Sequence, residues 1–128
     1  YSVGALSFGF SQSYLDSGLV GAAEATTDAK VARTAAGIFE GESMSVAYNI
    51  NDNLSISWTE TDDTYNPQSE AGTAAAIANV ETSTTAIQAA YSMGGMSIKV
   101  YNMDTNNPGY DSDALDSSIT EIALGLAF

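Results

Sequence analysis

The stretch S-I-T-E-I-A-L-G-L-A-F (residues 118–128) decides the fold class. Thr120, Ile122, Leu124, Leu126 and Phe128 fall on one side of an extended chain. Ile119, Glu121, Ala123, Gly125 and Ala127 fall on the other. The period is two, which is the period of a strand and not of a helix. One face is apolar and ends in an aromatic ring; the other is small, apart from Ile119 and one carboxylate. A soluble strand hides its apolar face under a second layer. A strand of a membrane barrel turns that face to lipid and its small, polar face to water.

The same alternation recurs upstream. Leu6, Phe8, Phe10 and Tyr14 alternate with Ala5, Ser7, Gly9, Ser11 and Ser13. Met44, Val46, Tyr48 and Ile50 alternate with serine, alanine and asparagine, and Leu54, Ile56 and Trp58 with serine and threonine. Ile87, Ala89, Tyr91 and Met93 form a further face, and Met96, Ile98 and Val100 oppose Ser97, Lys99 and Tyr101. Strands are therefore expected over about 2–14, 38–50, 54–61, 81–93, 96–103 and 117–128. Long loops are expected over 15–37, 62–80 and 104–116. The first loop has room for a short helix over 22–36 that stops at Gly37.

Turn length supplies a check. Asn51-Asp52-Asn53 is a tight turn of residues that tolerate a left-handed backbone. Spanning three residues, it would pair Ile50 with Leu54, Tyr48 with Ile56 and Val46 with Trp58. Gly94-Gly95 is a two-residue hairpin turn. It would pair Met93 with Met96, Tyr91 with Ile98 and Ala89 with Val100. Both parities keep the apolar face continuous across the turn, as cross-strand pairing requires. Long acidic loops alternate with these short turns, which places all the long loops at one end of the sheet.

The terminal pattern resembles the C-terminal signature of bacterial outer-membrane barrels. The segment T-A-I-Q-A-A-Y-S-M-G-G-M-S-I-K-V (residues 85–100) resembles a hairpin of a Gram-negative general porin. The resemblance is specific at the C-terminus and at the two tight turns. It implies an all-β, antiparallel transmembrane β-barrel, of which this chain supplies about six meander strands. Six such strands do not close a barrel, since the smallest single-chain barrels need ~8. The chain is thus expected to be the C-terminal segment of a larger barrel, of about 16 strands. The implied function is passive diffusion of small hydrophilic solutes and ions through a water-filled pore in the bacterial outer membrane. Implied partners are outer-membrane lipid and lipopolysaccharide, two further copies in a homotrimer, and the barrel-assembly machinery, which would read Phe128. The constriction loop of the family lies in the N-terminal half and is not expected in this chain.

Composition narrows the classes. Sixteen acidic residues against three basic ones give a net charge of −13. Nucleic acid is not an expected partner, because Lys30, Arg33 and Lys99 cannot make a basic patch. With no cysteine and no histidine, disulfides, thiolate chemistry and a histidine base are excluded. No run approaches the ~18 apolar residues of a membrane helix. Tyr1 is not an initiator methionine and no signal peptide precedes it, so a processed chain or a piece of a longer one is expected.

No enzyme is expected. Glu40/Glu42, Asp62/Asp63 and Asp111/Asp113 are carboxylate pairs, and a glycosidase needs two carboxyls about 5 to about 9.5 Å apart across a cleft. They are read instead as solvated loop ends that keep the strand rims soluble, and no G-x-S-x-G motif is present. The loop D-T-N-N-P-G-Y-D-S-D-A-L-D (residues 104–116) is rich in oxygen ligands but lacks the EF-hand spacing. No cofactor is expected, calcium on Asp104, Asp111, Asp113 and Asp116 being the alternative. Such calcium would also bridge the loops to anionic lipopolysaccharide.

The candidate pore-lining residues are Lys99, Glu121, Tyr101, Ser97 and Gln88. If the last hairpin is symmetric about its loop, Lys99 lies opposite Glu121. The pair would shape the field in the lumen and fix register, the latter worth a few tenths to ~1 kcal/mol. A lysine facing lipid would instead cost ~2–4 kcal/mol at the midplane. The candidate lipid-facing and girdle residues are Phe128, Leu126, Leu124, Ile122, Tyr91, Tyr48 and Trp58. A different class of protein fits part of the pattern: a secreted acidic β-sandwich, structural or adhesive, of a surface layer or fibre, with calcium-binding loops. Its apolar faces would pack two sheets together.

Overall fold

A computed structural model of the protein describes residues 1–16, 37–66 and 78–127. The expected helix over 22–36, the core of the second long loop and Phe128 lie outside them. The described residues form seven strands, β1 (Ser2–Val3), β2 (Leu6–Asp16), β3 (Ile38–Asn51), β4 (Leu54–Asn66), β5 (Val80–Met93), β6 (Met96–Asn106) and β7 (Ser117–Leu126). They make one antiparallel sheet in sequence order β1 to β7. The fold is an all-β meander, and the sheet is open.

Extended backbone over these segments follows from their composition. Alternating β-branched, aromatic and small residues fit a pleated surface, and no proline interrupts any strand. Register follows the apolar pattern. Tyr48 pairs with Ile56 and Val46 with Trp58; Met93 pairs with Met96, Tyr91 with Ile98 and Ala89 with Val100. A slip of one residue would move every apolar side chain to the other face.

Four details differ from the sequence reading, each for a local reason. The stretch expected as one strand from residue 2 is a short hairpin plus β2. Gly4 takes φ +58, a left-handed conformation, and reverses the chain so that Val3 pairs with Leu6. The turn after β3 holds two residues, Asp52 and Asn53, between paired Asn51 and Leu54, and a register shift between Asn49 and Asn51 leaves Ile50 as the extra residue. Ile50 therefore does not pair with Leu54. The turn does not use a left-handed backbone either: the non-glycine residues of positive φ among those described are Asn107 and Tyr110. Instead the Asn51 side chain closes it, Oδ1 accepting from the N–H groups of Asn53 (2.9 Å) and Leu54 (3.0 Å).

The other two differences concern strand ends. β4 runs to Asn66 and not to residue 61, and β6 to Asn106 and not to residue 103. Both continue as polar, acidic strand, because the backbone ladder needs a partner strand and not an apolar side chain. Asp104, expected in a loop, is therefore a strand residue opposite Thr85.

The Gly94-Gly95 turn is tight for two separate reasons. Gly94 has φ +59 with open space where a Cβ would stand. A Cβ on Gly95 would collide with the Ala127 carbonyl oxygen, and the Gly95 carbonyl accepts the Ala127 N–H at 2.6 Å. Gly94→Ala should therefore cost only the left-handed strain, ~1–2 kcal/mol. Gly95→Ala should cost more, because the end of β7 must move and its last backbone bond with it. Urea unfolding of the two variants checks this order; equal losses would refute the close approach.

Candidate functional site: the two faces of the sheet

Cross-strand pairing assigns each strand residue to one of two faces. The first face carries Phe8, Val46, Trp58 and Ile87 in one row, and Leu6, Tyr48, Ile56, Ala89, Val100 and Ile122 in the next. Below them, toward the short turns, stand Leu54, Tyr91, Ile98 and Leu124, then Met96 with Leu126. Many of these side chains are exposed, Ile87 by 59%, Ile122 by 71%, Leu124 by 62% and Leu126 by 63%; Leu6, Leu54, Trp58, Tyr91, Met96 and Ile98 are half-buried. Monomeric soluble proteins rarely leave contiguous apolar patches of more than a few hundred Å² open to water.

Toward the long loops the same face changes character. Phe10 and Met44 are followed in their row by Glu60, Thr85 and Asp104, and the next row holds Gln12, Glu42, Asp62 and Ser83. Gln12 Nε2 donates to Glu42 Oε1 at 2.5 Å. The apolar band is five to seven residues tall on each strand, about 17–23 Å along the chain. A carboxylate row borders it on the loop side.

The second face is small and hydroxylated. Ser11, Ser43, Thr61, Thr84, Thr105 and Ser117 form one continuous row across β2 to β7. Thr61 Oγ1 donates to Ser43 Oγ at 3.2 Å, and Thr84 and Thr105 share a hydrogen bond of 3.2 Å. Along β3, Ser43, Ser45 and Ala47 are less exposed than Met44, Val46 and Tyr48. That is the pattern of a sheet curled toward its small-residue face. Close cross-strand packing on that face agrees with it: a Cβ on Gly9 would stand 2.8 Å from Ser45 Oγ, and one on Gly125 2.6 Å from Ser97 Oγ.

The five residues expected to line a lumen share this second face. Gln88, Tyr101 and Glu121 form one row, with Lys99 and Ser97 on successive rows toward the turn. The expected opposition of Lys99 and Glu121 is corrected by the register. Lys99 faces Ala123, and Glu121 faces Tyr101, whose Oη donates to Glu121 Oε2 at 3.0 Å. The last connection is not symmetric, so the pairing moves by two residues and Lys99 becomes a diagonal neighbour of Glu121. Leu126, Leu124, Ile122, Tyr91, Tyr48 and Trp58 stand on the first face. Tyr91 lies near the short turns, its Oη 3.3 Å from Met93 Sδ. Trp58 lies at the upper limit of the apolar band, beside Val46 and Ile87.

An aromatic cluster at the loop end of the second face has no counterpart in the sequence reading. Tyr65 is fully buried against Phe39, Val80 and Tyr110. Ring centroids are 4.8 Å apart for Phe39 and Tyr65, 5.6 Å for Phe39 and Tyr110, and 5.9 Å for Tyr65 and Tyr110. Tyr110 reaches the sheet because the connection after β6 folds onto it. Asn107 and Tyr110 take φ of 47° and 61°, with Gly109 at 72° between them. Thr82 Oγ1 donates to the Asn107 carbonyl (2.8 Å) and accepts the Tyr110 N–H (3.1 Å). Gly37, at φ +140, lies under the Tyr65 ring, where a Cβ would meet Cε2 at 2.5 Å.

Among the described residues no group of three or more Asp or Glu side chains is placed to hold a metal ion. Asp111 Oδ1 accepts the Asp113 N–H at 3.2 Å, an interaction within the loop. Asp104 stands on β6, apart from Asp111, Asp113 and Asp116 in the connection. The paired Asp62 and Asp63 point to opposite faces of β4. No described helix is long and apolar enough to cross a membrane, a test that does not address strands. Comparison of the chain with protein-family models, with curated proteins and with solved structures found no match.

Proposed function

We propose that this sheet is part of the wall of an outer-membrane diffusion pore, with its apolar face to lipid and its small, hydroxylated face to a water-filled lumen. The observation that carries the reading is the uncovered apolar face. It belongs to a single sheet, and no second layer packs on it among the described residues. In a sandwich that face would meet another sheet at about 10 Å; in a barrel wall it meets acyl chains. The curl toward the small-residue face agrees with closure around a lumen.

Both sheet edges are open in this arrangement. β7 has β6 on one side only, and the segment Tyr1 to Val3 covers only Leu6, Ser7 and Phe8 of β2. Closing the wall requires further strands on both edges, from a longer polypeptide or from other copies, because unpaired backbone groups are not tolerated in a bilayer. With strands tilted by about 40°, the apolar band spans roughly 13–18 Å of membrane depth, less than the ~25 Å of a full lipid-facing band. The carboxylate row of Glu60 and Asp104 then lies at headgroup depth, where divalent cations link anionic lipopolysaccharide. No reaction is assigned: the wall acts by keeping water in and by the charge it shows to passing ions.

The test is single-channel recording of the detergent-extracted native protein in a planar bilayer. Stepwise ohmic openings are expected. A protein that stays soluble without detergent and gives no channel would sink this reading and favour the secreted β-sandwich.

A further inference from the structure

We infer that Asp63 is the residue on this wall that biases the pore toward cations. The inference rests on the pore reading above and deepens it. The chain is strongly acidic, and that alone suggests cation preference. The pairing separates the carboxylates by face. Glu40, Glu42, Glu60, Asp62 and Asp104 are all on the apolar-bearing face, as are Asp16 and Glu81. Of the strand residues, only Asp63 and Glu121 place a carboxylate on the small-residue face. Most of the strand charge is thus outside the lumen, behind a low-dielectric wall.

The two inward carboxylates are not equivalent. Glu121 accepts a hydrogen bond from Tyr101 and has Lys99 as a diagonal neighbour, so its field is locally offset. Asp63 has neither. Its Oδ1 is shut off from solvent without a hydrogen-bond partner. Gly41, paired with it on one side, has no side chain to offer. Thr82, paired with it on the other, gives its hydroxyl proton to the Asn107 carbonyl. Lys99 lies eight residues farther along the strand direction, about 27 Å away, which is beyond the ~10 Å screening length at 0.1 M salt. The residue remains partly exposed, and Lys99 is the one lysine or arginine among the described residues, so no described cation offsets the negative charge it would show at the loop-side mouth of the lumen. Charge of one sign on a low-dielectric wall raises the local concentration of counter-ions.

The experiment is the reversal potential of single channels in a tenfold KCl gradient at neutral pH. Asp63→Asn should lower the cation-to-anion permeability ratio by about twofold at 0.1 M mean salt, and less at 1 M. Asp63→Glu should keep the wild-type ratio. Glu42→Gln removes the same charge from the other face and should leave the ratio unchanged. Thr61→Asp, one step down the same face, should raise it, which keeps the test open if Asp63→Asn does not fold. Channels with an unchanged ratio in Asp63→Asn and Thr61→Asp overturn the inference and leave the pore reading standing. Equal shifts from Glu42→Gln and Asp63→Asn overturn the facial assignment. Wild-type protein without channels overturns the pore reading, and Asp63 with it.

Discussion

Ile122→Arg should prevent the sheet from assembling in a membrane, whereas Ala123→Arg, one residue along the same strand, should be tolerated. The two positions are adjacent in β7 and both are strand residues, and the difference in strand propensity between Ile and Ala is worth at most about 1 kcal/mol. What separates them is the face. Ile122 pairs with Val100 and is 71% exposed on the apolar side; Ala123 pairs with Lys99 on the small-residue side. If the apolar face meets lipid as proposed, an arginine on it costs ~2–4 kcal/mol near the midplane, at least about 30-fold in the folding equilibrium. An arginine at 123 would enter water beside Lys99. Folding into detergent and then into lipid vesicles, followed by resistance to protease, measures both. The Ala123 variant should fold and shift ion preference toward anions. Equal damage from both would mean that both faces are covered. Equal tolerance would mean that neither meets lipid.

The contrast between adjacent residues is possible because the faces are legible in the sequence. Tyr91 with Ile98 follows from turn length and alternation alone, and the structure has this pair. Tyr48 with Ile56 is present as well, but it is reached through a two-residue turn and the extra residue Ile50, not through the three-residue turn expected. Legibility stops where apolar residues stop. After Trp58 the chain reads Thr59, Glu60, Thr61, Asp62, Asp63, which looks like a loop. Yet β3 stays paired with that segment up to Ile38 and Asn66. A signal was available. The relation that pairs Tyr48 with Ile56 and Val46 with Trp58, extended without change, pairs Phe39 with Tyr65. Two aromatics on one rung at the loop end are a reason to continue the strand. The displacement of Glu121 from Lys99 was not available in the same way. It depends on how the connection after β6 is shaped, and that shape follows from Thr82 and from three residues of positive φ. Asp63 was visible as a carboxylate, but its isolation depends on what Gly41 and Thr82 do across the rungs.

Tyr65→Ala should destabilise the loop end of the sheet by about 3 kcal/mol or more, the loss of a fully buried aromatic side chain. The ring contacts Phe39 across the β3–β4 rung and Tyr110 from the last connection. Its removal therefore withdraws support from two places at once. The β3–β4 pairing beyond Gly41 loses its side-chain packing, and the connection between β6 and β7 loses the surface it folds onto. Tyr110→Ala should remove only the second. The backbone pairs of β3 and β4 stay, and Thr82 still holds Asn107. Tyr65→Phe keeps the ring and should lose much less than the alanine variant. Unfolding midpoints in detergent measure the global cost, and the rate of proteolysis between Asn107 and Asp116 measures release of the connection. Both variants should speed cleavage there, and only Tyr65→Ala should also lower the midpoint substantially. An unfolding free energy within about 0.5 kcal/mol of wild type for Tyr65→Ala would mean that the cluster only fills space at the rim. The β4 extension beyond Trp58 would then be held by its backbone ladder alone.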